Sequence, residues 1–378
     1  MPYWRFSNFY FFFFASIGVL VPYWSLYLKS LGFGPAEIGE LMAVIMATKI
    51  VAPNIWGWIA DNTGRRVQII RLTTLFALIA FGGVFLRQGY WWIAAVMCLF
   101  SFFWNAALPQ FEAATMNMLG DQAHRYSRIR LWGSIGFIVA VVALGPVLDL
   151  VGPGIIPVAI LLMLLGLVVS AWLVPLENGL SVEHVGGSIW QVLSQPQVVI
   201  ILLVCFLLQA SHGPYYTFYT IYMEEAGYSR SLIGQLWALG VVAEIGVFVV
   251  MHRLLPRYGA KALLLLSLGL TTLRWLLTAW FVDSLAVMVF SQLLHAASFG
   301  LYHAVAIHLI HKIFIGRNQG RGQALYSSLS FGAGGAIGSL MSGYLWGGVG
   351  AVITFQLAAL LSALAFLLTW RGLRSETL

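Results

Sequence analysis

Apolar runs of about twenty residues recur along the whole chain, and this repetition limits the possible folds more than any single motif does. A helix that spans the hydrocarbon core of a bilayer needs about 20 such residues. The runs predict helices near 6–28, 36–60, 67–86, 90–118, 129–150, 154–174, 196–222, 229–252, 261–281, 285–312, 321–346 and 350–372. Only 9% of the 378 residues are charged, and 60% are hydrophobic. A soluble domain carries about 25% charged residues, so this chain lacks the material for an ordinary water-facing surface. The expectation is an all-α membrane protein with twelve transmembrane helices in two six-helix halves.

Basic residues are distributed as topology signals. Arg65, Arg66 and Arg71 lie between the second and third helices, and Arg125, Arg128 and Arg130 between the fourth and fifth. Arg253, Arg257 and Lys261 lie between the eighth and ninth, and Lys312, Arg317 and Arg321 between the tenth and eleventh. The opposite side shows Lys29, Arg87 and Arg230. By the positive-inside rule both termini face the cytoplasm. The net charge of +7 therefore reflects orientation and implies no nucleic-acid partner. The first apolar segment is long and lacks a clear small-x-small cleavage site, so no cleaved signal peptide is expected. Cys98 and Cys205 fall in spanning helices, which argues against a disulfide framework. The chain has no Asn-x-Ser/Thr acceptor, in keeping with a multi-pass protein of a bacterial inner membrane.

The sequence is built twice. "YWSLYLKSLGFGPAEIG" (23–39) aligns with "FYTIYMEEAGYSRSLIG" (218–234), 195 residues further on. Tyr27 meets Tyr222, Gly32 meets Gly227, Phe33 meets Tyr228, Ile38 meets Ile233 and Gly39 meets Gly234. The register continues without a gap to Gly64–Arg65–Arg66 against Gly259–Ala260–Lys261. Chance similarity of apolar helices would not align glycines and loop charges as well. Two six-helix halves in parallel repeat resemble the architecture of major facilitator transporters. The halves are expected at 1–174 and 196–378, joined by a cytoplasmic linker at 175–195 that carries Glu177, Glu183 and His184.

In the same register Lys49 meets Glu244, the one carboxylate in "LGVVAEIGVFVV" (239–250). A charge at the centre of a membrane helix costs about 2.5–3.5 kcal/mol on insertion scales. Either the two charges approach each other, or each lines a shared aqueous cavity. A static buried pair seldom stabilises more than packed apolar residues do. A solute or proton pathway is thus the expected reason for keeping both.

The loop "GWIADNTGRR" (57–66) resembles the G-x-x-x-D-x-x-G-R-K/R signature of the major facilitator superfamily. Gly57, Asp61, Gly64, Arg65 and Arg66 match it, while Asn62 stands where a basic residue is often found. The glycines permit a tight turn and close helix approach, and Asp61 is suited to accept from a neighbouring helix N-terminus. The resemblance implies a cytoplasmic gate latch and says nothing about substrate.

Further ionisable residues interrupt apolar runs. Glu112 lies in "NAALPQFEAATM", seven residues after Asn105 and on the same helix face. Arg130 opens the fifth helix in "RIRLWGSIGF", as its last interfacial residue or its first cavity residue. Arg274 sits deep within "LGLTTLRWLLTAW". In "LLHAASFGLYHAVAIHLIHK", His295 is near mid-helix, with Ser298, Phe299 and Tyr302 on its side. Imidazole titrates near neutrality and so suits proton relay. His303 reads equally well as a packing residue, and His308 and His311 as interfacial. Gln209, His212, Tyr216 and Tyr219 form a polar-aromatic stripe at helical spacing, with Pro214 expected to break or kink the helix beside it. Trp237 lies one face-repeat before Glu244. Gln209, His212 and Tyr216 are expected to line a cavity, whereas Tyr23, Trp24, Tyr27 and Tyr222 fit an interfacial belt equally well.

The chain as a whole resembles the phenylpropionate permease family, related to lactose permease. The stretches that carry this are "LPQFEAA", "RIRLWGSIGF", "LLQASHGPYYTFYTIYMEEAGYS", "LWALGVVAEIG" and "LRWLLTAW". The resemblance implies that Glu112 and Arg130 contact substrate from the N-terminal half, and that Arg274 and His295 belong to a proton-coupling network. In the lactose permease pattern a proton-carrying carboxylate follows the histidine by one turn. Here that position is Ser298, which excludes coupling by that residue. Glu244 becomes the expected carrier, with Glu112 a second candidate.

Lys49, Arg130 and Arg274 outnumber Glu112 and Glu244, so a cationic cavity is expected. It would suit a monoanionic aromatic carboxylate held by charge-assisted hydrogen bonds and by Tyr and Trp faces. The family resemblance implies proton-coupled import of a small aromatic carboxylate such as 3-phenylpropionate by alternating access. A monomer driven by the proton gradient, with no cofactor and no metal, is expected. One rival is a proton symporter of a sugar or nucleoside, with Glu112 and Arg130 gripping hydroxyls. Another is a drug/proton antiporter, but "GPVLD" (145–149) has Asp149 where that pattern has glycine. A non-transporting receptor would be expected to carry a sizeable soluble domain. Nothing suggests an enzyme, since no P-loop, metal-spaced Cys/His set or Ser/His/Asp constellation occurs.

Overall fold

The computed structural model describes residues 3–176, 192–315 and 318–373, so Glu177, Glu183, His184 and Arg317 lie outside the described residues. Seven spanning helices come first: α1 (Tyr3–Ser30), α2 (Pro35–Thr63), α3 (Arg66–Phe85), α4 (Tyr90–Leu119), α5 (Tyr126–Val151), α6 (Pro153–Leu173) and α7 (Pro196–Glu225). The helical stretch Arg230–Trp280 breaks at Gly259, giving α8 (230–258) and α9 (260–280). After α10 (Leu285–Ile313), the stretch Gln319–Gly372 breaks at Gly350 into α11 (319–349) and α12 (351–372). Twelve spanning segments are thus present among the described residues, within a few residues of the expected bounds.

The internal repeat extends to the backbone. After α1, Leu31 N–H donates to Tyr27 O (3.1 Å), Gly32 N–H to Lys29 O (3.0 Å) and Phe33 N–H to Leu28 O (3.3 Å). After α7, 195 residues on, Ala226, Gly227 and Tyr228 make the same three bonds to Tyr222, Glu224 and Met223. Gly32 and Gly227 both sit in the left-handed region, at φ 87° and 88°. A side chain at either position would strain the turn that ends the helix.

Two helices depart from regular geometry in ways that matter for the site. The first is α7, which is interrupted at His212, with Pro214 in the first turn of its second part. Proline lacks an N–H and tolerates only a first turn, so the break falls where the sequence places it. The other is α10, which contains a π-helical stretch at Ala296–Leu301 and has a counterpart in α11 at Ser328–Gly334. Such wide turns are rare and re-aim the side chains around them.

The chain divides into two compact units, Met1–Glu183 with Ser229–Gln235, and His184–Tyr228 with Leu236–Leu378. In the first, α1 packs against α5 and α6, while α2 and α3 pack against α4. Phe9 stacks on Phe111 with centroids 3.6 Å apart, and Phe13 on Trp104 at 5.1 Å. Tyr23, Trp24 and Tyr27 are buried, and the Tyr23 hydroxyl donates to Val141 O at 2.9 Å. In the second unit Leu208, Leu268, Val305, Leu309 and Phe314 share one core. Tyr222 is buried there and donates to Ala279 O at 3.2 Å. All four aromatic side chains are buried within their units.

Candidate functional site

In the second unit the site is built around Arg274 of α9, which is fully buried (0% exposed). Its Nε donates to Ser291 O (3.1 Å). Its Nη1 donates to Ser298 Oγ (2.8 Å) and to His295 Nδ1 (3.0 Å), and its Nη2 to Gln292 Oε1 (3.4 Å). The guanidinium also lies 4.2 Å from the Tyr215 ring centroid and 4.6 Å from that of Trp275. Removing a charge from water is costly unless its hydrogen bonds are replaced, and aromatic faces add to the compensation. Four of the five donor hydrogens are met, all by neutral groups.

A guanidinium can only donate, so His295 must accept at Nδ1. The neutral imidazole then carries its proton at Nε2. That nitrogen lies 3.7 Å from Glu244 Oε2, which places Arg274, His295 and Glu244 in line. The side chains of His295 and Glu244 are 8% and 16% exposed, so accessibility rises from Arg274 outward. Close approach of α8 to α10 depends on glycine. A Cβ on Gly300 would stand 2.9 Å from Glu244 Cγ, and one on Gly240 would lie 3.2 Å from the His295 ring.

Aromatic rings wall this line. Tyr215 lies 4.4 Å from Trp237, 5.0 Å from Tyr219 and 5.7 Å from His295, centroid to centroid. Trp237 donates from Nε1 to Thr220 Oγ1 (3.1 Å), and the Tyr215 hydroxyl donates to Gln292 Oε1 (3.0 Å). His212 stacks on Tyr216 and donates from Nδ1 to Leu208 O (2.8 Å), the carbonyl left open by the break in α7. Four buried polar atoms here have no protein partner: Gln209 Nε2, His212 Nε2, the Tyr219 hydroxyl and Gln292 Nε2. Each such group costs about 1–3 kcal/mol.

The structure thus assembles Arg274, His295, Glu244, Trp237, His212 and Tyr216, with Gln209 one turn away on α7. Sequence reading missed Tyr215, Trp275 and Gln292. The break expected beside Pro214 falls at His212, and Tyr215, which the stripe at helical spacing left out, meets the guanidinium. Gln292 had a signal in its spacing, three residues before His295.

In the first unit Glu112 and Arg130 come together, with Oε1 and Nε 3.9 Å apart and about a third of each side chain exposed. Tyr126 donates to Glu112 Oε1 (3.3 Å), and the Arg130 guanidinium covers the Phe14 ring at 3.8 Å. Asn105 does not join them; its Nδ2 donates to Ile45 O (2.9 Å) and Thr48 Oγ1 (2.8 Å) of α2. Lys49, the next residue of α2, is partly buried and makes no hydrogen bond or ion pair among the described residues.

At the turn after α2, Asp61 pairs with Arg66, whose Nη1 also donates to Gln110 Oε1 at 2.6 Å. Asp61 therefore takes a side chain where a helix N-terminus was expected. Gly57 permits the approach of α2 to Gln110, since a Cβ there would lie 3.3 Å from Nε2. Gly64 caps α2 at φ 66°, and Arg65 is exposed. Among the described residues, no three His, Cys, Asp or Glu side chains converge as metal ligands.

The sequence model of the MFS_1 like family matches residues 3–357. A protein of Escherichia coli (strain K12) named "Probable 3-phenylpropionic acid transporter" is 30% identical over 354 residues, 89% of each chain. The maltose permease of Geobacillus stearothermophilus is 28% identical over 96% of this chain and 93% of its own. The crystal structure of a mutant of the nucleoside transporter NupG superposes with a TM-score of 0.86 at 15% identity, covering 98% of this chain and all of that one.

Proposed function

The chain belongs to the MFS_1 like family, and on that premise we propose that it imports a small aromatic carboxylate, such as 3-phenylpropionate, together with protons by alternating access. It is a multi-pass membrane transporter of the major facilitator type; its relatives are transporters, not enzymes. The observation that carries the substrate reading is the buried Arg274, whose direct partners are all neutral and whose surroundings are Tyr215, Trp237 and Trp275. A desolvated cation without a directly paired anion favours an anionic solute, and the ring wall favours an aromatic one. The printed name of the E. coli relative supports the same class.

Coupling follows from the line Arg274–His295–Glu244. With Glu244 ionised, the charge of Arg274 is balanced at one remove through His295. A proton on Glu244 leaves the cluster net positive, and an entering carboxylate then restores neutrality. Proton and anion each favour the binding of the other, and this linkage is reciprocal. Glu244 is the carrier, and the Nε2–H of His295 faces it. Trp237, Tyr216, His212 and Gln209 bound the solute ring in this reading. Within the first unit, Glu112 and Arg130 are the solute-binding pair, Lys49 adds positive charge, and Glu112 is a second proton site. Gly57, Asp61, Gly64, Arg65 and Arg66 form the latch. Loop charge puts both termini in the cytoplasm, in a bacterial inner membrane, and the working unit is a monomer.

Proteoliposomes under an imposed pH gradient, offered radiolabelled 3-phenylpropionate, maltose and a nucleoside, test this. Gradient-dependent accumulation of phenylpropionate alone is expected. The second reading, symport of a sugar or nucleoside, draws on the half-exposed Glu112–Arg130 pair, suited to hydroxyls, and on the maltose permease relative. Accumulation of maltose or the nucleoside instead would establish it.

A further inference from the structure

Arg274 has too few free donors to grip a carboxylate by itself. Its Nε–H, both Nη1 hydrogens and one Nη2 hydrogen are engaged, which leaves one Nη2–H. Gln292 stands beside that hydrogen. Its Oε1 accepts from Arg274 Nη2 and from the Tyr215 hydroxyl. Because the guanidinium only donates, the amide can be oriented in one way, with Oε1 toward Arg274 and Nε2 away from it. Gln292 is 0% exposed, and its Nε2 hydrogens have no partner. The hydroxyl of Tyr219, also 0% exposed, borders the same amide without completing a hydrogen bond. Three groups with hydrogens to donate converge here, with the Tyr219 hydroxyl beside the amide and the Tyr215 hydroxyl beside the guanidinium. Neither Gln292 Nε2 nor the Tyr219 hydroxyl completes a hydrogen bond.

We propose that Gln292 Nε2, the Tyr219 hydroxyl and the spare Nη2–H of Arg274 form the seat for an acceptor oxygen of the transported solute, with Gln292 the residue that sets specificity. The seat rests on the substrate reading above only in taking that oxygen to belong to a carboxylate. A carboxylate brings two oxygens and no hydrogen, and each of the three groups in the seat has a hydrogen to donate to it. The neutral amide adds no second buried charge, so the positive field remains that of Arg274. The solute ring then falls against Tyr215 and Trp237, whose centroids are 4.4 Å apart. A carboxamide of the same shape turns an NH2 group toward these donors and is rejected, because buried polar groups left unpaired discriminate strongly.

The test uses the purified full-length chain in detergent, with equilibrium binding of 3-phenylpropionate, 3-phenylpropionamide, maltose and uridine, and with thermal melting in the absence of solute. Wild type should bind 3-phenylpropionate at least about tenfold more tightly than the amide. Gln292→Met should weaken the acid by about tenfold or more, and Tyr219→Phe by about threefold to tenfold. Gln292→Met also removes the acceptor of Tyr215 and Arg274, so Tyr219→Phe carries the decision if that variant does not fold. Without solute, Tyr219→Phe should melt at or above wild type, since it removes only an unpaired hydroxyl. A lower melting temperature for Tyr219→Phe, or unchanged affinity in both variants, overturns the seat. If wild type binds maltose or uridine and not the acid, the substrate reading fails; the seat then stands if both variants lose that solute and falls if they keep it. If wild type binds none of the four solutes, both proposals fall.

Discussion

In the first unit Glu112 and Arg130 meet directly, at 3.9 Å and with about a third of each side chain exposed. In the second, no ion pair joins Arg274 to Glu244; His295 stands between them, and the guanidinium is fully buried. The difference has energetic consequences. A half-exposed ion pair contributes about 0–1 kcal/mol, because water competes for both partners. A buried guanidinium held by four hydrogen bonds is costly to disrupt, because each acceptor left behind stays desolvated. The relayed arrangement also lets a proton at Glu244 change the net charge around Arg274 without breaking the hydrogen bonds that hold the guanidinium.

Substitution can break this comparison, most severely at Arg274. Arg274→Met should lower 3-phenylpropionate affinity by about 100-fold or more, since truncating one partner of a buried charge-assisted contact costs about 2–5 kcal/mol of binding. Equilibrium binding that stays within about threefold of wild type would show that the buried cation is not what attracts the anion. Arg130→Ala should reduce uptake by about tenfold while barely moving the melting temperature, as expected for a half-exposed pair. A large loss of stability there would mean that the two units hold their charges alike. Ser298→Ala removes one acceptor of Arg274 and should weaken the anion by about threefold to tenfold, with a measurable fall in melting temperature. Lys49→Ala should have the smallest effect, a loss of about twofold to threefold for the acid and none for a neutral solute, because Lys49 acts only through charge at a distance.

Much of the architecture was legible because the bilayer imposes a length on apolar runs. α5 begins at Tyr126 where 129 was expected, and α9 runs over 260–280 against 261–281. The repeat was legible because glycines at turns leave both a letter and a dihedral angle, as Gly32 and Gly227 do. Arg274, His295 and Glu244 stood out because each is a titratable group in an apolar run. The neutral partners did not. Gln292 carries no charge to mark it, and Tyr215 falls outside the helical spacing of the stripe, since an expected break beside Pro214 does not say which residue it re-aims. The π-helical stretches at Ala296–Leu301 and Ser328–Gly334 arise from packing between turns, for which no local propensity exists. Asn105 and Asp61 show a further limit. Helix face and motif position can be read from spacing alone, but the partner each side chain takes depends on tertiary contacts with α2 and with Arg66.

The most direct test of proton coupling through Glu244 follows proton movement when 3-phenylpropionate is added to proteoliposomes containing wild type or Glu244→Gln. Wild type should take up protons with the acid. Glu244→Gln should still bind and exchange the acid, yet move no protons and build no gradient. Normal proton uptake and accumulation by Glu244→Gln would contradict the account.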